Sequence, residues 1–386
     1  MSIDAYITAV SAVLPGAPVS NDAMEGVLGQ VAGKPSRARR TILRSNGITN
    51  RHYVLDPITG EPTRTNAQLA AEAIRGLQKG GLDLGAIDCL ACGTSVPDQV
   101  MPGHGVMVHG ELGNPPSEVV STAGVCVAGM TAMRYAWLGV TAGEFQNAVA
   151  SASEISSVFM RARFFEEEVE AKVRDLEKRP ELAFEKDFLR WMLSDGAGAV
   201  LIQPRPAKTN LSLKIEWMMI RSYANEQTAC MIAAAEKQDD GSLKPWYQFT
   251  GKEWLDRSVF TVRQDVKQLN EYVMHYTVKC GLEEVKRVHK DLRPSDIDYF
   301  LPHYSSQYFR DEVFEKMQAA DFVIPHERWF TNLTTKGNTG SASIYIILEE
   351  LFHSGKLKPG QKLLCYVPES GRFSTAFMLL TVCAPS

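Results

Sequence analysis

The chain has 386 residues, of which 45% are hydrophobic and 22% are charged, so it carries enough apolar material for a large folded core. Its 41 Lys and Arg against 45 Asp and Glu give a formal net charge of −4, which excludes an overall basic field for nucleic acid or a membrane surface. The same composition excludes collagen-like, low-complexity and coiled-coil chains.

The seven cysteines are sparse and scattered, unlike the dense pattern of a secreted disulfide scaffold. The first twenty residues lack a basic region before an apolar core, and no later stretch is as long and apolar as a membrane span requires. The sequence therefore predicts a cytoplasmic protein without a membrane span.

Short runs rich in Val, Ile and Leu alternate with helix-like segments along the chain, which predicts an α/β fold. The predicted strands are 5–13, 87–92, 147–153, 197–204, 211–221, 299–302, 362–367 and 374–383. The predicted helices are 65–79, 129–142, 165–178, 262–280, 306–320 and 343–354. Asn66 and Ser306 precede two of these helices and are their predicted N-caps.

Two parts of the chain follow the same order of features. The strand 87–92 precedes a run of small residues, and Cys126 then opens a helix; the strand 299–302 precedes His303, and a second run of small residues containing Asn338 opens another helix. This order indicates two similar halves divided near residues 204–210. Between them, the charged stretch 164–188 keeps apolar residues at helical spacing and is predicted to be a solvated helical excursion, with covering a site as the alternative.

Cys126 is the most informative cysteine because small residues surround it immediately before a helix. Free N–H groups and the partial positive charge at a helix N-terminus favour a thiolate, so we expect a lowered pKa and a nucleophilic sulfur with room for a substrate. The alternative is a buried cysteine that packs as a small hydrophobic residue.

His303 follows an apolar strand, and Asn338 lies between glycines before a helix. Taken singly, each is compatible with a structural role, as a strand-end histidine or a turn asparagine. Together with Cys126 they suit acyl transfer: the thiolate takes an acyl group, and the imidazole and carboxamide donate hydrogen bonds to an enolate oxygen. Papain-like proteases use the same three residue types, but the Trp or Tyr that follows their cysteine is absent here.

At this point the chain resembles the condensing enzymes of the thiolase superfamily, and within them the β-ketoacyl-acyl-carrier-protein synthase III group. The resemblance runs from about residue 46 to the C-terminus. It depends on the order of these segments: NGITNRHY at 46–53, CLACGTSVPD at 89–98, the segment around Cys126, LSDGAGAVLI at 193–202, His303, GNTGSAS at 337–343 and PESGRFSTAFMLL at 368–380.

The resemblance implies a five-layered α-β-α-β-α sandwich of two related halves, over residues 1–205 with the nucleophile and 206–386 with His303 and Asn338. It implies that these three residues are catalytic, and that the backbone N–H groups of Cys126 and of Gly371 or a near neighbour form the oxyanion hole. Asp195 and Gly196 would support the site without acting on the substrate. A homodimer is also implied, with a loop around residues 100–105 reaching the partner's acyl pocket.

The segment from Glu369 to Ser374 differs from the fatty-acid-initiating enzyme, which has a run of glycines at this place. The charged stretch 164–188 is also longer than that enzyme would suggest. A closer likeness is to ketosynthases that form dialkylresorcinols and cyclohexanediones, suggested by segments 46–53 and 63–73. That likeness implies condensation of acyl-Cys126 with a second acyl or β-ketoacyl thioester, followed by cyclisation, in lipid or secondary-metabolite biosynthesis. A malonyl donor, acyl transfer to an alcohol or amine, and a non-catalytic partner subunit stay open as alternatives.

A basic cluster at Arg37, Arg39, Arg40 and Arg44 is the predicted dock for phosphopantetheine and an acidic acyl carrier protein, or else a solvated loop. The substrates would thus arrive as thioesters of the carrier protein or of CoA, and no further cofactor is predicted. No nucleic-acid motif accompanies the basic cluster. Cys89 and Cys92 form a lone CxxC pair on a predicted strand, so no metal site is predicted, and the sequence lacks nucleotide-binding glycine motifs.

Overall fold

The computed structural model describes residues 3–33, 35–36, 39–166 and 189–386. The predicted helix 165–178 lies outside this part of the chain except for its first two residues, and so does Arg37. Within the described ranges, no helix is both long enough and apolar enough to cross a bilayer.

The strands, in chain order, are β1 (Tyr6–Val13), β2 (Val19–Ser20), β3 (Asn50–Arg51), β4 (Cys89–Thr94), β5 (Glu118–Ala123), β6 (Ala148–Glu154), β7 (Gly196–Gln203), β8 (Ser212–Ser222), β9 (Met231–Ile232), β10 (Ala235–Lys237), β11 (Leu243–Pro245), β12 (Arg263–Gln264), β13 (Tyr299–Pro302), β14 (Lys362–Glu369) and β15 (Ser374–Cys383). The α-helices are α1 (Met24–Leu28), α2 (Arg39–Asn46), α3 (Asn66–Gly76), α4 (His104–Leu112), α5 (Val127–Ala142), α6 (Gly251–Asp256), α7 (Val266–Met274), α8 (Gly281–Val288), α9 (Arg310–Ala319), α10 (Leu333–Lys336) and α11 (Ser343–Phe352). A π-helical turn over His275–Cys280 joins α7 to α8.

In the part of the chain that the structure covers, nine strands form one mixed sheet in the order β13-β14-β15-β8-β1-β7-β6-β4-β5. The sheet divides naturally between β8 and β1, since only Tyr6 and Ile7 of β1 pair with β8. Every other neighbouring pair shares a longer ladder. Two half-sheets are therefore joined by a short bridge.

The two half-sheets repeat one topology. In the N-terminal half β4 and β6 are parallel, β6 and β7 antiparallel, and β7 and β1 antiparallel. In the C-terminal half β13 and β14 are parallel, β14 and β15 antiparallel, and β15 and β8 antiparallel. The same directions in the same order agree with the repeated features of the sequence. The predicted division after residue 205 falls in the connection between β7 and β8 and stays a prediction.

The helices form three layers around the half-sheets. Helices α3 and α4 pack on the outer face of the N-terminal half-sheet, and α7, α8 and the π-turn pack on that of the C-terminal half-sheet. Helices α5 and α11 lie between the halves, because α5 contacts strands of both and α11 contacts β1, β7 and β13. Three hydrophobic clusters fill the spaces between these layers. The five-layered α-β-α-β-α order predicted from the sequence is confirmed.

Residues 223–265 leave the sheet between β8 and α7 and form an excursion that contains β9 to β12 and α6. Its ends are tied together, since Met231 pairs with Gln264 and Ile232 with Arg263. The backbone N–H of Asp265 also donates to the carbonyl of Cys230, at 2.8 Å. The excursion is thus anchored close to where it leaves and re-enters the layered fold.

Several local predictions differ from the structure: α4 and α8 were not predicted, and the predicted helix 262–280 begins with the short strand β12 before α7. The sequence analysis missed β5, an edge strand whose side chains are half-buried or exposed, because its polar residues carry no continuous apolar run. The predicted N-cap Asn66 is wrong: Thr65 caps α3, accepting from the backbone N–H of Gln68, whose side chain accepts from Thr65 in a capping box. Ser306, the other predicted N-cap, caps the 3₁₀ turn Gln307–Phe309 that precedes α9, since its side chain accepts from the backbone N–H of Tyr308.

Candidate active site

Cys126 stands between β5 and α5, at the N-cap position of that central helix. Glycines let the helix start approach its neighbours: a Cβ on Gly93 would lie 2.6 Å from the carbonyl oxygen of Ala128, and one on Gly129 would lie 2.4 Å from that of Ser341. Real Cβ atoms do not come so close. The small residues around Cys126 thus serve the close packing of the two halves, rather than only leaving room for a substrate.

The thiol of Cys126 is not the low-pKa group that the sequence predicted. It is 6% exposed, and burial raises its pKa above the ordinary range, with further contributions from the charges of Glu369 and Glu154. Desolvation of the thiolate and two nearby carboxylates thus outweigh the helix N-terminus. The sulfur therefore needs a proton acceptor when it attacks.

His303 directly follows β13, and its backbone N–H donates to the carbonyl of Tyr366 on β14 at 2.8 Å. The residue is 3% exposed, and burial lowers the pKa of its imidazole to about 4. At neutral pH the ring is uncharged, so one nitrogen can accept a proton while the other donates a hydrogen bond.

Asn338 is held between backbone groups of the segment that precedes β7. Its N–H donates to the carbonyl of Met192 at 3.1 Å, and its carbonyl accepts from the N–H of Ser194 at 2.8 Å. The side-chain Oδ1 accepts from the backbone N–H of Gly340 at 2.9 Å. Because Oδ1 has this partner, the amide nitrogen Nδ2 is the end of the side chain left to donate to a bound oxygen.

One narrow pocket contains Cys126 and Asn338, and Ser305, two residues after His303, also lines it. Its walls are mainly apolar: Val96, Val125, Phe159, Leu189, Met192, Leu193, Met231, Val262 and Leu269. The space open to a water-sized molecule is about 50 Å³, room for only a few waters. An acyl chain would have to displace wall side chains, and Met192 and Met231 are the most adaptable of them.

Two buried carboxyl groups near Cys126 were not recognised as site residues from the sequence. Glu154 ends β6, is 2% exposed and lines the pocket, and burial raises its pKa. Glu369 ends β14, is 7% exposed, and burial also raises its pKa. A charged residue that closes an apolar strand, as Glu154 closes residues 148–153, is the signal that could have revealed it.

The backbone N–H of Gly371, a predicted oxyanion donor, is engaged. It donates to the carboxylate of Glu369, while its carbonyl accepts from the N–H groups of Cys230 and Met231 at 2.7 and 3.1 Å. An oxyanion would reach this N–H only after displacing Glu369. The predicted oxyanion roles of the backbone N–H groups of Gly371 and Cys126 stay predictions.

Asp195, which by the resemblance would support the site, binds two neighbouring segments of the chain. Its carboxylate accepts from the backbone N–H groups of Val54 and Ser157 at 2.7 and 2.8 Å, and from the hydroxyl of Ser157. Its own N–H donates to the carbonyl of His52. These bonds fix the segment that in turn clamps Asn338.

The arginines of the predicted docking cluster differ in their surroundings. Arg39 forms ion pairs with Glu25 and Asp22 at 2.8 and 3.2 Å, so its charge is used within the fold. Arg40 and Arg44 are exposed on α2. They are the described members of the cluster that remain accessible to a carrier.

Cys89 and Cys92, the CxxC pair, are free thiols buried on β4. Among the residues that the structure describes, no group of three His, Cys, Asp or Glu side chains is arranged to hold a metal ion. The predicted absence of a metal or further cofactor stays a prediction.

Acid pH is expected to destabilise the fold through His303 and His104. Burial lowers the pKa of His104, at the start of α4, to about 4, as it does that of His303. Between the ordinary imidazole value of 6.5 and about 4, the unfolded chain binds more protons than the folded one. The stability is complete above pH 6.5 and is lost as the pH falls; at pH 5 each imidazole should account for about 2 kcal/mol.

Urea unfolding of the wild type and a His104→Asn variant at pH 7 and pH 5 measures this loss. The variant should lose about 2 kcal/mol less than the wild type between the two pH values. An equal loss in both proteins would contradict the assignment of a depressed pKa to His104.

Known proteins resemble this chain over different parts of its length. The family model for the C-terminal region of 3-oxoacyl-[acyl-carrier-protein] synthase III matches residues 288–379, which include His303, Asn338 and Gly371. The β-ketoacyl-[acyl-carrier-protein] synthase III of Koribacter versatilis is 22% identical over 378 residues, covering 97% of each chain. That of Bordetella petrii is 24% identical over 362 residues, covering 93% of each.

Solved structures resemble the fold along nearly the whole chain. A tetronic acid condensing enzyme superposes with a TM-score of 0.74 at 20% identity, covering 98% of this chain and 99% of its own. The 3-oxoacyl-(acyl carrier protein) synthase III of Pseudomonas aeruginosa gives 0.69 at 18% identity and 99% coverage of both. A variant of Xanthomonas campestris OleA, solved with lauric acid and lauroyl-CoA, gives 0.70 at 16% identity, covering 99% and 100%. These neighbours establish the thiolase-like fold.

Proposed function

We propose that this chain, which is similar to β-ketoacyl-[acyl-carrier-protein] synthase III along nearly its whole length, is a condensing enzyme that joins two thioester-bound acyl groups by a Claisen-type condensation. Cys126 accepts the first acyl group, and a second acyl or β-ketoacyl thioester attacks it. The observation that carries the proposal is the apolar pocket that holds both Cys126 and Asn338, with His303 at the adjoining strand end.

In the first half-reaction the uncharged imidazole of His303 takes the proton of the Cys126 thiol, and the thiolate attacks the thioester carbonyl. The carrier or CoA thiol leaves with a proton, and the acyl chain lies among the apolar walls. The raised pKa of the thiol makes this proton transfer necessary.

In the second half-reaction the enolate of the second thioester attacks acyl-Cys126. The amide nitrogen of Asn338 and an N–H of His303 donate to the enolate oxygen, as the anchoring of Asn338 Oδ1 allows. When the second thioester is a β-ketoacyl group, a further ring closure would yield a dialkyl cyclohexanedione or a resorcinol precursor.

A malonyl donor is the second candidate, because the curated relatives are named β-ketoacyl-[acyl-carrier-protein] synthase III. The same two donors would then stabilise the enolate left by loss of CO₂. A malonyl thioester and a β-ketoacyl thioester can be told apart by the product formed and by the release of CO₂.

The test supplies the purified chain with acyl-carrier and acyl-CoA thioesters, then adds either a β-ketoacyl or a malonyl thioester, and identifies the products by mass spectrometry. A diketone or cyclohexanedione from the β-ketoacyl partner supports the first candidate, and CO₂ release with a β-ketoacyl product supports the second. A folded chain that forms no carbon–carbon bond with either partner overturns both.

We propose that acyl carrier protein docks at the exposed Arg40 and Arg44. Reversing both charges, in R40E/R44E, should lower kcat/KM for a carrier-bound acyl thioester about tenfold, since charges at the rim of an interface control encounter. The rate with an uncharged N-acetylcysteamine thioester should not change. A K290E/R293E variant makes the same charge change after α8 and should retain the carrier rate. Equal losses in the two variants would contradict docking at α2.

We also propose a homodimer formed along β5. This strand is the outer edge of the sheet, and large apolar side chains next to it are exposed: Val100 by 79% and Met101 by 82%, with Leu138 on α5 at 46%. An open strand edge flanked by apolar side chains favours pairing with a second copy. Light scattering should give twice the monomer mass for the wild type and the monomer mass for M101D/L138D. A monomeric wild type would contradict the proposal.

A further inference from the structure

Glu154 combines burial, a polar anchor and a position in the pocket. It ends β6, is 2% exposed, and lines the pocket that contains Cys126 and Asn338. Its Oε1 accepts from the backbone N–H and hydroxyl of Ser95 at 2.9 and 2.7 Å. The same oxygen accepts from the hydroxyl and N–H of Ser341 at 2.5 and 3.3 Å. Donors from both halves of the chain therefore hold one carboxylate oxygen.

The other oxygen, Oε2, accepts no hydrogen bond from the residues that the structure describes. Val96 and Phe159 line the same pocket as Glu154, and a neutral side chain could also bridge Ser95 and Ser341, so these hydrogen bonds do not by themselves require a carboxylate. Burial also raises the pKa of Glu154, which makes its carboxylate a stronger base. Anchoring of one oxygen and a free second oxygen suit a group that takes a proton.

We propose that Glu154 Oε2 is the base that removes the α-proton of the second thioester. This inference rests on the proposed condensation and deepens it, since a donor that is deprotonated need not lose CO₂. The site thereby selects acyl or β-ketoacyl donors that keep all their carbons.

The step balances without a further reagent. The α-carbon–hydrogen bond breaks, its proton goes to Oε2, and its electron pair becomes the enolate held by His303 and Asn338. The enolate carbon bonds to the carbonyl carbon of acyl-Cys126, the carbon–sulfur bond breaks, and the Cys126 thiolate leaves. Glu154 then returns its proton to that thiolate.

The second buried carboxylate is a poorer base because its own turn occupies it. Glu369 accepts from the backbone N–H of Gly371, from that of Arg372 at 3.3 Å and from that of Ser374 at 3.0 Å. Both of its oxygens therefore have donors, and only its neighbour Ser370 lines the pocket.

Deuterium uptake tests the proton transfer apart from carbon–carbon bond formation. A Cys126→Ala variant, which cannot be acylated, is incubated in D₂O at pH 6 with a β-ketoacyl-pantetheine thioester, and exchange at the α-carbon is followed by mass spectrometry above the rate without protein. We expect protein-dependent exchange with this variant. In C126A/E154Q the exchange should fall by at least about 100-fold. C126A/E349Q, which removes another partly buried carboxyl group, on α11, should keep it.

Folding and the proposed function are checked separately. The single variant E154Q, which retains Cys126, can still accept hydrogen bonds from Ser95 and Ser341 through its one amide oxygen. It should therefore unfold at the same urea concentration as the wild type and still form acyl-Cys126. Deuterium exchange at equal rates in C126A and C126A/E154Q, or no protein-dependent exchange in C126A, overturns the inference even when the wild type forms acyl-Cys126. Failure to form acyl-Cys126 in the wild type overturns the proposed function instead.

Discussion

Replacing Cys126 by alanine is expected to abolish acyl-enzyme formation and to lower condensation by about four orders of magnitude or more, because Cys126 carries the only thiol among the described residues that line the pocket. Intact-protein mass spectrometry after incubation with acyl thioesters measures the first effect, and product formation measures the second. Helix α5 begins with the next residue, and alanine retains its backbone, so the variant should fold.

A Cys280→Ala variant is the matched control. Cys280 is a free thiol at the end of the π-turn and is more exposed than Cys126, so it would react first in non-specific acylation. This variant should acylate and condense like the wild type. An adduct that persists in C126A, or disappears in C280A, would move the nucleophile elsewhere.

The slow chemistry of the resting thiol is part of the same expectation. Burial and two carboxylates raise the pKa of Cys126, so alkylation by iodoacetamide should be slow even in an active enzyme. Fast alkylation is therefore not a suitable criterion for a catalytic cysteine in this chain. Acylation by a thioester that fills the pocket is the informative reaction.

Replacing Asn338 by aspartate is expected to separate the two half-reactions. The aspartate keeps an oxygen for the N–H of Gly340 but replaces the donor Nδ2 by a charged oxygen facing the enolate. Acyl-Cys126 should form within a few-fold of the wild-type rate, while condensation should fall about 100- to 1,000-fold. The acyl-enzyme should then accumulate when the second thioester is added.

A His303→Ala variant provides the contrast, because it removes both a proton acceptor for the Cys126 thiol and an enolate donor. Acylation and condensation should both slow in it. If N338D blocked acylation as strongly as condensation, Asn338 would act in the first half-reaction or maintain the structure of segment 337–343. It would then not be assigned as a hydrogen-bond donor to the enolate.

The layered fold and three candidate catalytic residues were accessible from the sequence, for identifiable reasons. Cys126, His303 and Asn338 each follow a strand or open a helix, and such punctuation is local and readable. The long buried strands were predicted within a few residues, since their apolar runs are continuous. The edge strand β5 was missed because partial exposure leaves it without that pattern.

What the sequence could not supply depends on contacts between distant segments. The sign of the Cys126 pKa shift depends on Glu154 and Glu369, which are close to the thiol only in the folded chain. Likewise, the hydrogen bond from the Gly371 N–H to the Glu369 carboxylate depends on the conformation of the turn between β14 and β15. Local sequence around Cys126 suggested only the helix N-terminus, which is the weaker influence.

The excursion over residues 223–265 contributes to the pocket wall but carries none of the three candidate catalytic residues. Met231, Val262 and Gln264 supply one wall of the pocket from this excursion, whereas the three candidate catalytic residues lie at strand and helix ends of the two halves. Mutations within the excursion, natural or designed, could therefore change which acyl groups are accepted and leave the three candidate catalytic residues in place. Related chains should then diverge fastest between β8 and α7, and grafting this stretch from one to another should transfer chain-length preference.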